Sequence, residues 1–346
     1  MSTENGVMFP MDPPPGVVRD INQVPADAPL VIVTAIFFPL ATICMGIRVY
    51  TRAAIVCKLS FDDYLMMLSW VCNVLLVGFT LNMTNYGMGK HLWNVPFTPD
   101  LFPHFSLNNL LAAIFFCAAT GFAKGSILIF YLRIFPMKAA RIVIWTAFAF
   151  IIGYSTASVF VNIFSCNPVR GSWDPVAMAT AKCINRPVFY FLQAGLGIFA
   201  DILTVIIPLP WLKTLMLPKK QKIGVGVLLT MGASSVCIIS VIRLQSLSVL
   251  LNNPDLTHNT VLALMWCILE LNLSIIGGSM ATIKPFLRIA IPRMFSSAYG
   301  ASANTGPGIH LESKDRTGFQ RSTGTNSKAP QISMHAYAES SEELVA

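Results

Sequence analysis

The sequence predicts an all-α, polytopic bundle of seven transmembrane helices, with the N-terminus outside and the C-terminus in the cytoplasm. Three observations carry this. Charged residues are 12% of the 346-residue chain, against roughly 25% in an ordinary soluble domain. Hydrophobic residues are 54%, and the mean hydropathy is +0.63. The apolar residues fall in seven continuous runs, each near the ~20 residues a helix needs to cross the hydrocarbon. Continuous rather than alternating runs argue against a barrel, the other structure that satisfies every backbone group in lipid. The net charge of +8 is no nucleic-acid footprint, because most basic residues sit in short loops, where they set orientation.

Residues 1–28 are polar and Pro-rich (MDPPPG, QVPADAP) and lack the short apolar core of a signal peptide. They are expected to form a disordered extracellular segment. Residues 29–291 form the membrane domain. Its first run is Pro29–Tyr50, with Arg48, Arg52 and Lys58 at its end. The second, Asp63–Met83, opens in SFDDYLMM, where Ser60 and Asp63 have capping-box spacing and two carboxylates favour a helix N-terminus. The alternative for Asp62, Asp63 and Arg133 is a cytoplasmic switch between these acids and the basic loops. Beyond the second run, NYGMGKHLWNVP reads as a glycine turn presenting His91 and Trp93. His91 and His104 lack a third ligand, so no metal is expected. Asn82 opens an Asn-Met-Thr sequon close to the membrane edge, a glycosylation candidate.

The third run, Ser106–Ile134, carries Lys124 near mid-membrane and Arg133 at its end. A lone ammonium at that depth costs on the order of 3 kcal/mol, so it should be paired inside the bundle or line a polar cavity. After the fourth run, Arg141–Phe164, a loop holds Cys166 and Cys183, while the other six cysteines lie in runs or on the cytoplasmic side. Two cysteines alone in an oxidising loop suggest a disulfide. It closes roughly 17 residues, worth about 3 kcal/mol in the chain-entropy model.

The fifth run, Pro187–Leu212, places Tyr190, Gln193, Gly197, Asp201, Thr204 and Pro208 on one helical stripe. The sixth, Ile223–Val249, does the same with Gly232, Ser235, Ile239, Arg243 and Ser246, and the seventh, Thr260–Ile283, with Trp266, Glu270, Ser274 and Gly277. Polar and small residues on one stripe of an apolar helix face the bundle interior. Two buried ion pairs are expected, Lys124 with Asp201 and Arg243 with Glu270, with Asn272, Tyr131 and Gln193 as further buried polar or ligand candidates. The alternative is that these charges only lock the helices together. Past the seventh run, KPFLRIAIPRMF mixes basic and apolar residues and reads as a segment along the inner leaflet. Residues 292–346 read as a disordered cytoplasmic tail.

Thirteen Lys and Arg follow the odd-numbered runs, against five on the other side. The positive-inside rule then gives the stated orientation. No Walker A loop, dinucleotide fingerprint, HExxH or nucleophile elbow is present, and no cofactor is expected.

Taken together, these residues resemble the fungal rhodopsin-domain integral membrane proteins, a receptor-like family that includes the Pth-type and satratoxin-cluster membrane proteins. The likeness runs through Arg48, Tyr50, Arg52 and Phe61 to Tyr64, then Tyr86, Gly87, Gly89 and His91. It continues in Lys124, Ser126, Leu128, Tyr131, Arg133 and Phe135, then Phe164, Cys166, Pro168, Trp173 and Cys183. Asp201, Pro208, Pro210, Ser240, Arg243, Trp266, Glu270, Asn272, Lys284 and Pro285 complete it. It spans about Leu30 to Leu287. The resemblance implies a seven-helix bundle similar to G-protein-coupled receptors, with some members in secondary-metabolite gene clusters. The seventh run has no lysine for a retinal Schiff base. Two functions are weighed. One is a receptor for a small or surface-derived ligand, coupled to a cytoplasmic signalling partner. The other is a membrane-embedded enzyme or accessory protein of a biosynthetic cluster, using buried carboxylates as acid or base. A bilayer is the partner in either case, and nucleic acid in neither.

Overall fold

The computed structural model describes residues 2–4, 7–20, 23–96, 98, 101–214, 219–253 and 255–290, and their side chains except at 2–8, 212–234, 252 and 281–290. The expected tail, residues 292–346, lies outside the described residues. The chain runs through α1 (Ala28–Tyr50), α2 (Phe61–Thr84), α3 (Leu101–Ile134) and α4 (Lys138–Ile163). The short α5 (Pro175–Met178) precedes α6 (Arg186–Ile206), the short α7 (Pro208–Thr214), α8 (Lys219–Asn252) and α9 (Leu256–Ala290). Among the described residues, six stretches are long and apolar enough to cross a membrane: Ala28–Ile55, Phe61–Thr84, Leu101–Ile134, Lys138–Ile163, Arg186–Trp211 and Leu256–Met280. In α8 the described apolar stretch, Ser235–Leu251, is shorter.

The burial pattern is that of a protein whose solvent is lipid. Val31, Ile36 and Ile43 on α1, Ile142 and Trp145 on α4, and Leu192, Phe199 and Ile206 on α6 are exposed. Asp62, Asp63, Asn73, Lys124, Asp201, Glu270 and Asn272 are buried. Charge is tolerated at membrane depth only where it faces the bundle. α3 is the central helix, packing on α2, α4, α6 and α9, while α8 packs on α6 and α9, and α1 lies on α9. One apolar cluster joins α1, α2, α3 and α9 around Met66, Leu76, Phe116, Ile268 and Leu271. A second joins α3, α4 and α6 around Leu128, Tyr131, Ile144, Ile151 and Ala200.

The helix limits depart from the sequence reading by a few residues at most ends, most plainly at three places. α3 begins at Leu101, not Ser106, because Pro103 falls in its first turn, where a missing N–H is harmless. Its 34 residues make a rod about 51 Å long, well beyond the about 30 Å of hydrocarbon. The fifth run is not one helix. It breaks after Ile206, because Pro208 and Pro210 withdraw two backbone donors. The backbone of α9 stays helical to Ala290, through the first part of KPFLRIAIPRMF.

The ends of α2, α3 and α9 meet the start of α1 at one end of the bundle. Gly89, at φ 87°, threads between them: its carbonyl accepts the Ala26 N–H (3.0 Å), and its own N–H donates to the Thr257 carbonyl (3.2 Å). A Cβ there would lie 3.1 Å from the Ala26 nitrogen. At the same end, Cys166–Asn167 (β3) pairs antiparallel with Lys182–Cys183 (β4), and the Cys166–Cys183 disulfide joins them. Within residues 1–28, expected from composition to be disordered, the described residues make several contacts here. Ser2–Glu4 (β1) pairs with Val7–Phe9 (β2), and Arg19 lies 3.9 Å over the Phe9 ring while its Nε donates to the Trp93 carbonyl (2.8 Å). Gln23 Oε1 accepts from Asn94 Nδ2 (2.7 Å) and from the His91 N–H (3.2 Å). Prolines weaken regular structure in this stretch, but side-chain anchors to the loops substitute for it.

Candidate functional site

The interior stripes of α3, α6, α8 and α9 converge on two ion pairs. Lys124 Nζ stands 3.0 Å from Asp201 Oδ1 and donates to the Gly197 carbonyl at 3.2 Å. The other carboxylate oxygen of Asp201 is 2.9 Å from Ser240 Oγ, which is also 3.0 Å from the Val236 carbonyl. The single hydroxyl proton serves one of them at a time. Asp201 thus ties α3, α6 and α8 together. Arg243 Nε on α8 lies 3.0 Å from Glu270 Oε2 on α9. The two atoms are at ion-pair distance without hydrogen-bond alignment. The Arg243 guanidinium also lies 4.9 Å from the centre of the Phe116 ring, a cation–π position. Gly197 lies close against Arg243, since a Cβ there would come within 3.2 Å of Arg243 Nη2 and push it aside by a few tenths of an ångström.

Between the pairs lies a cavity of about 10 Å³, bounded by Lys124, Tyr154, Gln193, Gly197, Arg243 and Glu270. It is about the size of one water. Each carboxylate is held by a cation, so neither stands free as a general base. Gln193 donates to the Cys117 sulfur at 3.0 Å, while its Oε1 has no protein partner.

Two other residues singled out in the sequence lie elsewhere. Tyr131 donates to the Thr204 carbonyl at 3.3 Å, within the second apolar cluster. Asn272 accepts from Asn73 at 3.0 Å and donates to the Ile268 carbonyl at 2.8 Å, stitching α9 to α2.

Above Arg243 an apolar chamber of about 650 Å³ opens towards the disulfide end, between α3, α6, α8 and α9. Phe116, Gln193 and Arg243 border both it and the small cavity below. A second cavity of about 310 Å³ adjoins it under the disulfide loop, with Trp173 and Asp174 in its wall. Both volumes fall in the about 300–1,000 Å³ range of ordinary ligand pockets.

At the opposite end, Arg48 is 1% exposed. It meets Asp62 Oδ2 at 2.6 Å and Asp63 Oδ1 at 2.9 Å, and donates to the Gly278 carbonyl at 2.7 Å. Arg52 lies 3.5 Å from Asp63 and 3.9 Å from Asp62. Two cations and two anions therefore form a closed, neutral cluster joining α1, α2 and α9. The Ser60 N–H donates to Asp63 Oδ2 at 3.1 Å, and Arg133 donates to Ser60 Oγ at 3.0 Å. Arg48 and Arg52 are therefore bundle residues rather than loop cations, and the orientation count keeps eleven basic residues on that side, still against five. A partial signal is in the sequence, since Arg48 lies two residues before the end of α1 and two acids open α2, but the apolar run stops beside it.

Asn82 sits in the last turn of α2, its amide bonded to Asn108 Oδ1 at 3.2 Å. His91 contacts Asp255 and stacks on Trp93 and His258, whereas His104 stacks on Tyr86.

A family model described as the fungal rhodopsin domain matches residues 47–289. The chain is 23% identical over 271 residues to a Metarhizium anisopliae protein named polyenoic acids biosynthesis gene cluster protein Ba17b, covering 75% of this chain and 73% of that one. It is 20% identical over 331 residues to receptor GIN3 of Arthrobotrys oligospora, covering 95% of this chain and 79% of that one. With a match spanning all the interior charges and both ends of the bundle, the chain belongs to the fungal rhodopsin domain family of multi-pass membrane proteins.

Proposed function

We propose that this protein is a seven-helix receptor that binds a small ligand in the chamber at the disulfide end, with that end facing outside. The observation that supports this most is the shared wall: Arg243, Phe116 and Gln193 touch both the chamber and the small cavity between the ion pairs. A ligand that contacts Arg243 competes with Glu270 and Phe116 for it, and a ligand shifts an equilibrium only through such differential contacts. The chain of contacts then leads through Gly197 to Lys124 and Asp201. The basic loops at the other end serve a cytoplasmic partner. The relative named as a receptor is consistent with this reading.

Expression in yeast whose G protein drives a fluorescent reporter tests it. A library of small apolar compounds should raise the output, and Ala263→Trp, which fills the chamber, should abolish the rise. Output no higher than in cells lacking the chain would end the receptor reading. The relative named for a biosynthetic gene cluster favours a second reading, an accessory role in a pathway. Gene deletion with metabolite profiling separates the two: a lost compound, with no reporter response, supports the second.

A further inference from the structure

The chamber and the cavity under the disulfide loop share Asn109, Arg186, Tyr190 and Leu256. Arg186 therefore stands on the seam between them. Its Nη2 donates to the Ser172 carbonyl (3.3 Å) and to the Cys166 sulfur (3.1 Å). Among the described residues it has no carboxylate partner, since Asp174, the acid in that wall, pairs with Arg170 at 3.0 Å. The other cation of the chamber, Arg243, is neutralised by Glu270. Tyr190 is one helical turn from Arg186, on the same face. The Tyr190 hydroxyl and the Asn109 amide likewise have no protein hydrogen bond among the described residues. The rest of the chamber wall is mostly aliphatic, through Ala112, Ala113, Leu247, Leu250, Leu251 and Leu264.

One guanidinium with no carboxylate partner among the described residues, two further polar groups beside it and an apolar chamber leading away define a complementary ligand. It has one planar anionic head and an extended hydrocarbon body. Arginine presents a fork that matches a carboxylate, whereas phosphate-recognising sites gather several cations. We infer that the chamber takes a lipophilic carboxylic acid, its carboxylate on Arg186, Tyr190 and Asn109 and its chain directed towards Phe116 and Arg243. This rests on the chamber being the ligand site and names the class of ligand that fills it.

The test uses the full chain in lipid nanodiscs with tritiated palmitic acid, displaced by unlabelled palmitic acid, hexadecanol, hexadecylamine and hexadecyl phosphate. Saturable binding is expected, with the acid displacing at least about tenfold better than the alcohol or the amine. Arg186→Gln should erase that preference while leaving displacement by hexadecanol unchanged, and Arg186→Lys should keep part of it. Should Arg186→Gln fail to elute as folded protein, the double variant Tyr190→Phe, Asn109→Leu reads the same preference, which should fall. Equal displacement by acid and alcohol, a preference that survives Arg186→Gln, tighter displacement by hexadecyl phosphate, or no saturable binding each overturns the assignment. A reporter response to other compounds, abolished by Ala263→Trp, alongside any of these results would leave the receptor standing and remove only the acid.

Discussion

Arg48 shows what a buried charge demands. Its guanidinium spans two carboxylates and a backbone carbonyl, so that every strong donor group on it has a partner. Arg48→Gln leaves Asp62 and Asp63 with Arg52 alone, at 3.9 and 3.5 Å. Removing one partner of a buried ion cluster costs roughly 3–5 kcal/mol, and thermal unfolding in nanodiscs should show a loss of that order. The sequence makes Lys124, Asp201, Arg243 and Glu270 conspicuous, because a charge in a lipid-spanning run has few explanations. It does not distinguish Arg48 from a loop cation, because the count of apolar residues ends beside it. It places Gly197 on the interior stripe of the fifth run but does not show what that glycine leaves room for, nor that Phe116 belongs to the site. Their contributions, an open space and a ring face, depend on which helix lies opposite, and periodicity within one helix does not contain that.

At the level of the element, the loop between α4 and α6 is held by one covalent bond and by Arg186. The disulfide closes a separation of 17 residues, worth about 3 kcal/mol in the chain-entropy model. Replacing Cys166 and Cys183 by Ser should leave the bundle assembled but raise limited proteolysis between Gly171 and Lys182 severalfold. The Gly89 crossing is less forgiving. Gly89→Val puts a β-branched residue at φ 87° and a Cβ against the Ala26 backbone, a strain of about 1–3 kcal/mol before any clash. Its thermal midpoint should fall, whereas Gly46→Val, which meets open space, should not change it. Helix existence was legible from hydrophobic runs, but limits were not. Pro103 and Pro208 show why: the same residue type starts one helix and ends another, and only its position in the turn decides.

At the scale of the molecule, the described residues put aliphatic side chains on the outer surface as well as in the two interior clusters, and keep the acids and bases of the spanning helices within. The orientation expected from basic loops gives a direct test, since an N-terminal epitope tag should be accessible on intact cells and a C-terminal one only after permeabilisation. The interior charges organise this bundle because lipid offers them no other partner. The most direct measurement is a double-mutant cycle on Lys124 and Asp201, read by thermal unfolding of the full chain in nanodiscs. If the two charges are held by each other, Lys124→Met and Asp201→Leu should each destabilise strongly, and the double variant should be more stable than either, with a coupling of about 2 kcal/mol or more. A double variant no more stable than the worse single, with coupling near zero, would show that the helices are not held together through this pair.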